Sequence, residues 1–363
     1  MSEPTLPLIS LADYEAAADG LSDAAAHGYF AGGAADEITM RDNVAAWGRL
    51  ALRPRMLVGV GERDPSVTVL GKRRPHPLII APMAYQKLAH PDGELASAAA
   101  AAATGTTFCL STLATTGIAE LARGEPDATR WFQLYVFRDR GVSRELVAQA
   151  IEHSYEALVV TADVPVRGFR ERDLRTGSEV SPVRALPASA RGDMTMTPAD
   201  FSGLIDPALT WDDIGQLAAE SRLPVLVKGL LTAEDARIAA DHGARGVVVS
   251  NHGGRQLDTV VSGADALPAI VDEVGDRLDV LVDGGIRRGT DVVKALALGA
   301  RAVLVGRPLI WGLAVGGAEG AQRVLEILLA ELDRALALVG APHARKLDRS
   351  FVCPAPWRVS GPR

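Results

Sequence analysis

The sequence predicts an α/β fold: a (β/α)8 TIM barrel with an N-terminal helical cap and a long lid loop after the fourth strand. Three observations predict it. Eight short runs rich in Val, Ile and Leu recur along the chain, and most are continuous rather than alternating, as strands buried on both faces of a parallel sheet are. Ala-rich or amphipathic segments of helical length separate them. The chain has 363 residues, 48% of them hydrophobic, which suits one large barrel or two average domains with an ample core. So many alternations favour the barrel over a doubly wound sheet, as one domain over residues 1–363.

Residues 1–70 precede the first strand. Ser10-Leu11-Ala12-Asp13 reads as a helix start with Asp where Glu is preferred, so this segment is expected to form the helical cap. Strands are expected at 77–82, 107–111, 131–136, 157–161, 224–228, 246–250, 279–283 and 302–306. Helices are expected at 93–103, 143–153, 232–242, 265–274 and 290–298. The alanines of 98–103 suit a helix packed close to the barrel, and Pro268 falls in the first turn of the fourth helix, where proline is tolerated. Residues 166–211 form the long irregular connection, with Pro182, Pro187, Pro198, Pro207 and several arginines. A loop of that length in a compact domain is usually functional or disordered, and it is read as a mobile lid over the barrel mouth. Residues 341–363, Pro-rich and basic, are read as a poorly ordered tail or an oligomer contact.

Composition excludes several classes. A formal charge of −7 argues against a nucleic-acid footprint. The cysteines, Cys109 and Cys353, are far apart and form no C-x-x-C pair, so neither a zinc site nor a disulfide framework is expected, and a cytoplasmic location is the default. Met1-Ser2-Glu3-Pro4 lacks the basic start and apolar core of a signal peptide. The apolar stretch 295–318 is broken by Arg301, Arg307 and Pro308 and fails as a membrane span.

Active groups of such a barrel sit at the C-terminal ends of its strands. The most informative stretch is Ser250-Asn251-His252-Gly253-Gly254-Arg255-Gln256-Leu257-Asp258, which follows the run 246–249. His252 supplies a base suited to neutral pH and Arg255 a carboxylate clamp from the same rim. His27, His76, His90, His153, His242 and His343 lack such company and default to structural roles. Asp283-Gly284-Gly285-Ile286-Arg287-Arg288-Gly289 and Gly306-Arg307-Pro308 are Gly-rich turns with arginines after the last two strands, where many barrels bind phosphate. The alternative is two ordinary turns with solvated arginines. Lys228, at the end of the fifth strand, could stabilise negative charge on a reduced ring, form a Schiff base, or sit in a solvated rim. Gly59-Val60-Gly61 lacks the third glycine of a dinucleotide fingerprint and is read as a turn.

Together these segments resemble the FMN-dependent 2-hydroxy acid oxidase family, which includes glycolate, lactate and hydroxymandelate oxidases. The resemblance is carried by 250–258, by Ala81-Pro82-Met83-Ala84-Tyr85-Gln86-Lys87-Leu88-Ala89-His90-Pro91, by Phe132-Gln133-Leu134-Tyr135, by Val227-Lys228-Gly229 and by 283–291. It implies FMN as cofactor. Pro82, Met83 and Ala84 would line the flavin ring, Ser111, Gln133 and Thr161 would bond its pyrimidine edge, and Lys228 would sit by N1 and O2. Ser250 would reach the ribityl chain, and Asp283, Gly285, Arg287, Gly306 and Arg307 would hold ribityl and phosphate. Arg255 and Arg170 would clamp the substrate carboxylate with Tyr29 assisting, Tyr135 would bond the hydroxyl, and Asp163 would pair with the catalytic base His252. A small 2-hydroxy carboxylate would become the 2-keto acid, with oxygen reduced to hydrogen peroxide, in a homotetramer or octamer.

The chain departs from the family in two places. Leu113 stands where plant glycolate oxidases carry tryptophan, and losing that large aromatic makes room for a bulkier or more apolar side chain such as the ring of a mandelate; Met83 stands where threonine is usual, and it too bears on which acid fits. The charged, Pro-containing lid differs from the apolar insertion of membrane-bound mandelate dehydrogenases and favours a soluble enzyme, and no haem domain is expected before the barrel. Competing readings are a dehydrogenase with another electron acceptor, a lactate monooxygenase, a non-catalytic flavin-binding redox module, and a flavin-free phosphate-sugar barrel.

Overall fold

The computed structural model describes residues 7–19, 23–176, 183, 186 and 203–357. Met1 to Pro4, Pro182, Pro187, Pro198 and most of the expected lid, and residues 358–363 lie outside the described residues.

The chain begins with α1 (Leu11–Asp19), α2 (Ala24–Ala31) and α3 (Ile38–Gly48). The start of α1 is the expected one: Ser10 N–H donates to Asp13 Oδ2 at 2.8 Å and Asp13 N–H to Ser10 Oγ at 3.3 Å. The cap does not stay helical to residue 70. It continues into β1 (Leu50–Leu52) and the start of a hairpin, β2 (Val67–Val69) and β3 (Lys72–Arg74). The hairpin covers the N-terminal end of the barrel, where Leu70 N–H donates to Asp279 Oδ2 at 2.5 Å and Lys72 and Arg74 both pair with Glu156.

All eight expected strands are present: β4 (Leu78–Ile80), β5 (Thr107–Leu110), β6 (Arg130–Leu134), β7 (Leu158–Thr161), β8 (Val225–Leu230), β9 (Gly246–Val249), β10 (Asp279–Asp283) and β11 (Ala302–Val305). They run parallel in chain order and close into a barrel through Val303 of β11 opposite Leu78 of β4. Their continuous apolar runs are buried on both faces, inside by barrel side chains and outside by helices.

The outer layer comprises α4 (Gly93–Thr104), α5 (Ile118–Gly124), α6 (Arg140–Glu152), α7 (Glu171–Thr176), α8 (Trp211–Glu220), α9 (Ala233–Asp241), α10 (Gly263–Val274), α11 (Gly289–Ala297) and α12 (Arg307–Val339). The sequence reading did not anticipate α5, α7, α8 or α12. α5 and α7 are too short for a clear 3.6-residue pattern, and α12 is disguised by its own glycines. Two expectations need correction. Helix α10 starts at Gly263, with Ser262 Oγ accepting from Asp265 N–H at 3.1 Å, so Pro268 lies in the second turn and denies the Ala264 carbonyl its usual donor. The tail is not loose as far as residue 357: β12 (Val352–Pro354) pairs antiparallel with β1, Val352 opposite Leu52, and Trp357 Nε1 donates to Gly48 O at 3.1 Å. An extended segment beside an unpaired edge gains backbone hydrogen bonds by joining it.

Helix α12 packs along α4 and α1. It is broken at Gly316 (φ −154°, ψ 27°) and Gly317 (φ 56°, ψ −136°), and its two halves meet glycine on glycine: a Cβ on Gly312 would lie 2.5 Å from Gly320 O. Gly312→Ala is therefore expected to destabilise the fold by about 1–3 kcal/mol through overpacking. Urea unfolding measures this, and a loss below roughly 0.5 kcal/mol would show that the two halves separate freely.

Candidate active site

The C-terminal ends of the barrel strands surround one mouth, where a cavity holds about 1060 Å³ of space free of protein atoms, partly open to solvent. At the end of β9 the chain turns sharply, with His252 (φ 59°), Gly253 (φ 64°) and Gly254 (φ 75°) all left-handed. Glycine tolerates this; His252 is strained and is held by its bonds. Its N–H donates to Ser250 Oγ at 3.0 Å, and its Nδ1–H donates to Asp163 Oδ1 at 3.0 Å. A carboxylate only accepts, so the ring proton sits on Nδ1 and Nε2 keeps its lone pair. Burial lowers the His252 pKa most; Asp163 opposes this, Lys228 and Arg170 add to it, and the net value lies below that of a free imidazole. Burial pushes Asp163 up, but the charge and hydrogen bond of His252, with Lys228 beyond, bring it below the ordinary carboxylate value.

Lys228 shares the Ser250 hydroxyl with the His252 amide. Its Nζ donates to Ser250 Oγ at 2.8 Å and pairs with Asp283 Oδ2 at 3.1 Å. Burial alone would lower its pKa, but Asp283 and Asp163 raise it, so the buried ammonium stays charged. Across the floor, Gln133 Oε1 accepts from Ser111 Oγ at 3.2 Å and Thr112 N–H at 3.1 Å, while its Nε2 donates to Thr161 Oγ1 at 3.0 Å. These bonds fix the amide of Gln133 in one orientation.

The other wall is cationic. Arg255 Nη1 donates to Tyr29 O at 2.6 Å and Gly32 O at 2.9 Å. Arg307 donates from Nε to Phe30 O at 3.0 Å, from Nη1 to Gly253 O at 3.0 Å and from Nη2 to Gly32 O at 2.9 Å. Most of these acceptors are the last carbonyls of α2, the negative end of its dipole. The Arg255 guanidinium also lies 4.8 Å from the centre of the Tyr29 ring. Arg287 donates to Ile286 O at 3.1 Å. Among the described residues, none of Arg255, Arg287 and Arg307 is ion-paired with a carboxylate. Burial, then Arg255 and Arg287, push Arg307 down to about 9. Burial, then Arg255, push Arg170 down to about 10.

Every residue singled out from the sequence as a site residue lines this cavity except Asp163 and Ser250. Asp163 stands behind the imidazole it holds. Ser250 is fully buried; its hydroxyl accepts from Lys228 and the His252 amide and keeps its own proton to donate. Sequence reading missed Phe30 and Ile286, which also line it. It also missed Glu94, a fully buried carboxylate that accepts from Gln86 N–H at 3.2 Å, Thr115 N–H at 2.8 Å and Thr116 Oγ1 at 3.0 Å, tying the loops after β4 and β5 together. A lone carboxylate in the Ala-rich run of α4 was the available signal. Asn43, which exchanges amide hydrogen bonds with Asn251 at 2.8 and 2.7 Å, carried none, because its partner lies 208 residues away.

Residues 18–354 match the family model for FMN-dependent dehydrogenases. The chain is 46% identical over 356 residues to an L-lactate oxidase of Nostoc sp., spanning 95% of this chain and 98% of that protein. It is 44% identical to 2-Hydroxyacid oxidase 1 of Homo sapiens, spanning 97% and 98%. A crystal structure of mandelate oxidase superposes with a TM-score of 0.88 at 42% identity, covering 96% of this chain and 99% of that one. The cavity fits FMN. The arginine wall lacks the counter-anion that a phosphate supplies, and Asp283 Oδ1, buried without a partner, can accept from a polyol hydroxyl. Arg307→Ala is expected to weaken FMN binding by about 10- to 100-fold, the scale of one charge-assisted hydrogen-bond partner. Fluorescence titration of the apoprotein with FMN measures it; an unchanged Kd would place the phosphate elsewhere.

Proposed function

The chain belongs to the FMN-dependent dehydrogenase family, and we propose from that premise that it oxidises an (S)-2-hydroxy acid, a mandelate-like aryl acid in particular, to the 2-keto acid, with O2 reduced to H2O2. The observation that carries this reading is the presence of a proton acceptor, His252 with Nδ1 committed to Asp163, and a carboxylate clamp, Arg255 and Arg170, on one cavity. FMN, when bound, supplies the two-electron acceptor. Pro82, Met83 and Ala84 would border its ring, Ser111, Gln133 and Thr161 would meet its pyrimidine edge, and Lys228 would stand by the side that gains charge. Asp283, Gly285, Arg287, Gly306 and Arg307 would hold the ribityl chain and phosphate.

On the substrate side, Arg255 and Arg170 hold the carboxylate with Tyr29 assisting, and Tyr135 bonds the hydroxyl. His252 Nε2 takes the substrate proton, and Asp163 stabilises the imidazolium that results. The lowered pKa of His252 keeps it neutral and able to accept at neutral pH. Leu113, Met83 and Phe30 line the cavity with apolar surface, which supports an aryl side chain. The wider reading is a cytoplasmic homotetramer or octamer built from one barrel domain; the exposed run Met56, Leu57 and Val58 offers apolar surface for self-association. Among the described residues no helix is long and apolar enough to cross a membrane.

The test is flavin bleaching under argon with glycolate, (S)-lactate and (S)-mandelate, followed by peroxide and keto acid yields in air. (S)-Mandelate is expected to reduce the flavin with the highest kcat/KM, and peroxide to match keto acid one to one. Preference for glycolate would end the aryl reading, keto acid without peroxide would make the protein a dehydrogenase passing its electrons to another acceptor, and the shortened carboxylic acid with CO2 in place of keto acid and peroxide would make it a monooxygenase. His252→Gln should keep its flavin and lose on the order of 10²–10⁴-fold in kcat; an unchanged rate of flavin reduction would remove His252 as base. kcat/KM should fall as pH drops and His252 protonates. Because the Asp163 charge raises the His252 pKa, Asp163→Asn should move that limb to lower pH as well as depress the plateau. A pH–rate profile whose acid limb stays in place or moves upward contradicts the pairing.

A further inference from the structure

The side chain of Gln256 uses all of its principal hydrogen-bonding sites on one segment. Its Nε2 donates to Asp163 O at 2.9 Å and Val166 O at 3.0 Å, and its Oε1 accepts from Gly168 N–H at 3.2 Å and Arg170 Nη2 at 3.2 Å. Arg170 Nε donates beside it to Arg255 O at 3.0 Å. The two segments are in backbone contact here, since a Cβ on Gly168 would lie 2.7 Å from both Gln256 Cα and Gln256 O. The segment 163–170 begins at the carboxylate that holds His252 and ends at a guanidinium that lines the cavity.

We propose that Gln256 is a positioning residue that sets Asp163 and Arg170 in register with His252 and Arg255, so that proton acceptor and carboxylate clamp are aligned by one amide. The proposal rests on the roles given above to those four groups. A primary amide fits the task because it presents two donors and two acceptor lone pairs in one plane, and here each meets a partner. Four bonds from a side chain in a loop order the root of the 166–211 connection without contributing a catalytic atom. Other restraints alternate with these positions: Arg167 pairs with Asp173 at 2.8 Å, Ala35 N–H donates to Phe169 O at 2.9 Å, and Arg170 pairs with Asp173 at 3.9 Å. Gln256 is the side chain that bonds both Asp163 and Arg170.

Two variants of the FMN-loaded enzyme test it. Gln256→Glu keeps the acceptors for Gly168 and Arg170 but loses both donors and adds an anion near Asp163. It should hold KM for (S)-mandelate within about threefold, lower kcat by on the order of tenfold, and move the acid limb of kcat/KM to higher pH. Gln256→Leu loses every bond. It should raise KM and lower kcat by on the order of tenfold each, and move the acid limb to lower pH as Asp163 drifts from His252. Amide hydrogen exchange across 163–170 should quicken in Gln256→Leu with FMN content unchanged. Steady-state constants within twofold of the parent in both variants, limbs that move in the same direction, or unchanged exchange at Gly168 would each overturn the proposal. If the parent turns over none of the acids tested, the functional reading fails, and the exchange measurement still decides whether Gln256 holds this segment.

Discussion

Charge that is buried before any ligand arrives shapes the mouth of this barrel. Burial, then Arg255 and Arg287, push Arg307 down, and the hydrogen-bond partners of all three arginines within the protein are carbonyl oxygens. Taking three guanidinium groups out of water without counter-charge is unfavourable. The protein moderates this with the C-terminal carbonyls of α2, whose dipoles point their negative ends at Arg255 and Arg307. The N-terminal cap is therefore part of the site: it helps make the cationic wall tolerable, and a phosphate would complete the neutralisation. That dependence explains why a helical segment far from the barrel strands in sequence supplies Tyr29 and Phe30 to the cavity.

The junction between cap and barrel follows from the same need. Asp258, at the end of the β9 loop, caps α3 by accepting from Thr39 N–H at 2.7 Å and Ile38 N–H at 3.2 Å. Asn43 and Asn251 bond each other twice, and Trp47 Nε1 donates to Gly284 O at 2.9 Å. The loops can approach this closely because they carry glycine: at Gly284 (φ 94°) and Gly285 (φ 78°) the backbone is left-handed, and a side chain on Gly285 would run into the Asn43 carbonyl. The glycines that read in sequence as a phosphate cradle thus also make room for the cap.

How legible this was in the sequence depends on the range of the signal. The barrel strands are continuous apolar runs with polar residues at their ends, both local features, so strands and cavity residues could be read together. Helices whose pattern is broken by glycine, as α12 is at Gly316 and Gly317, were lost. So was β12, because a strand that exists by pairing with Leu50–Leu52 has no local reason to be one. Ser250 shows the limit at the site. Sequence placed it correctly at the end of β9, but which way a hydroxyl points depends on Lys228, 22 residues away, and on the left-handed turn at His252. Asn43, Glu94 and Gln256 were missed for the same reason: each acts through partners distant in the chain.

The cavity has an electrostatic division that bears on the chemistry. Both carboxylates of the centre, Asp163 and Asp283, stand on the Lys228 side, and the unpaired arginines stand on the other. Lys228 lies between the two carboxylates and is kept charged by them. It in turn lowers His252 and Asp163. Moving Lys228 to the arginine side would deprive it of the partners that offset its burial, and moving a carboxylate there would consume the cation a phosphate needs. An imidazole placed among unpaired arginines would be a poor proton acceptor; placed against Asp163, it keeps a partner for the charge it gains. Segregating the carboxylates thus leaves the arginine wall free to meet anions while His252 keeps a carboxylate partner.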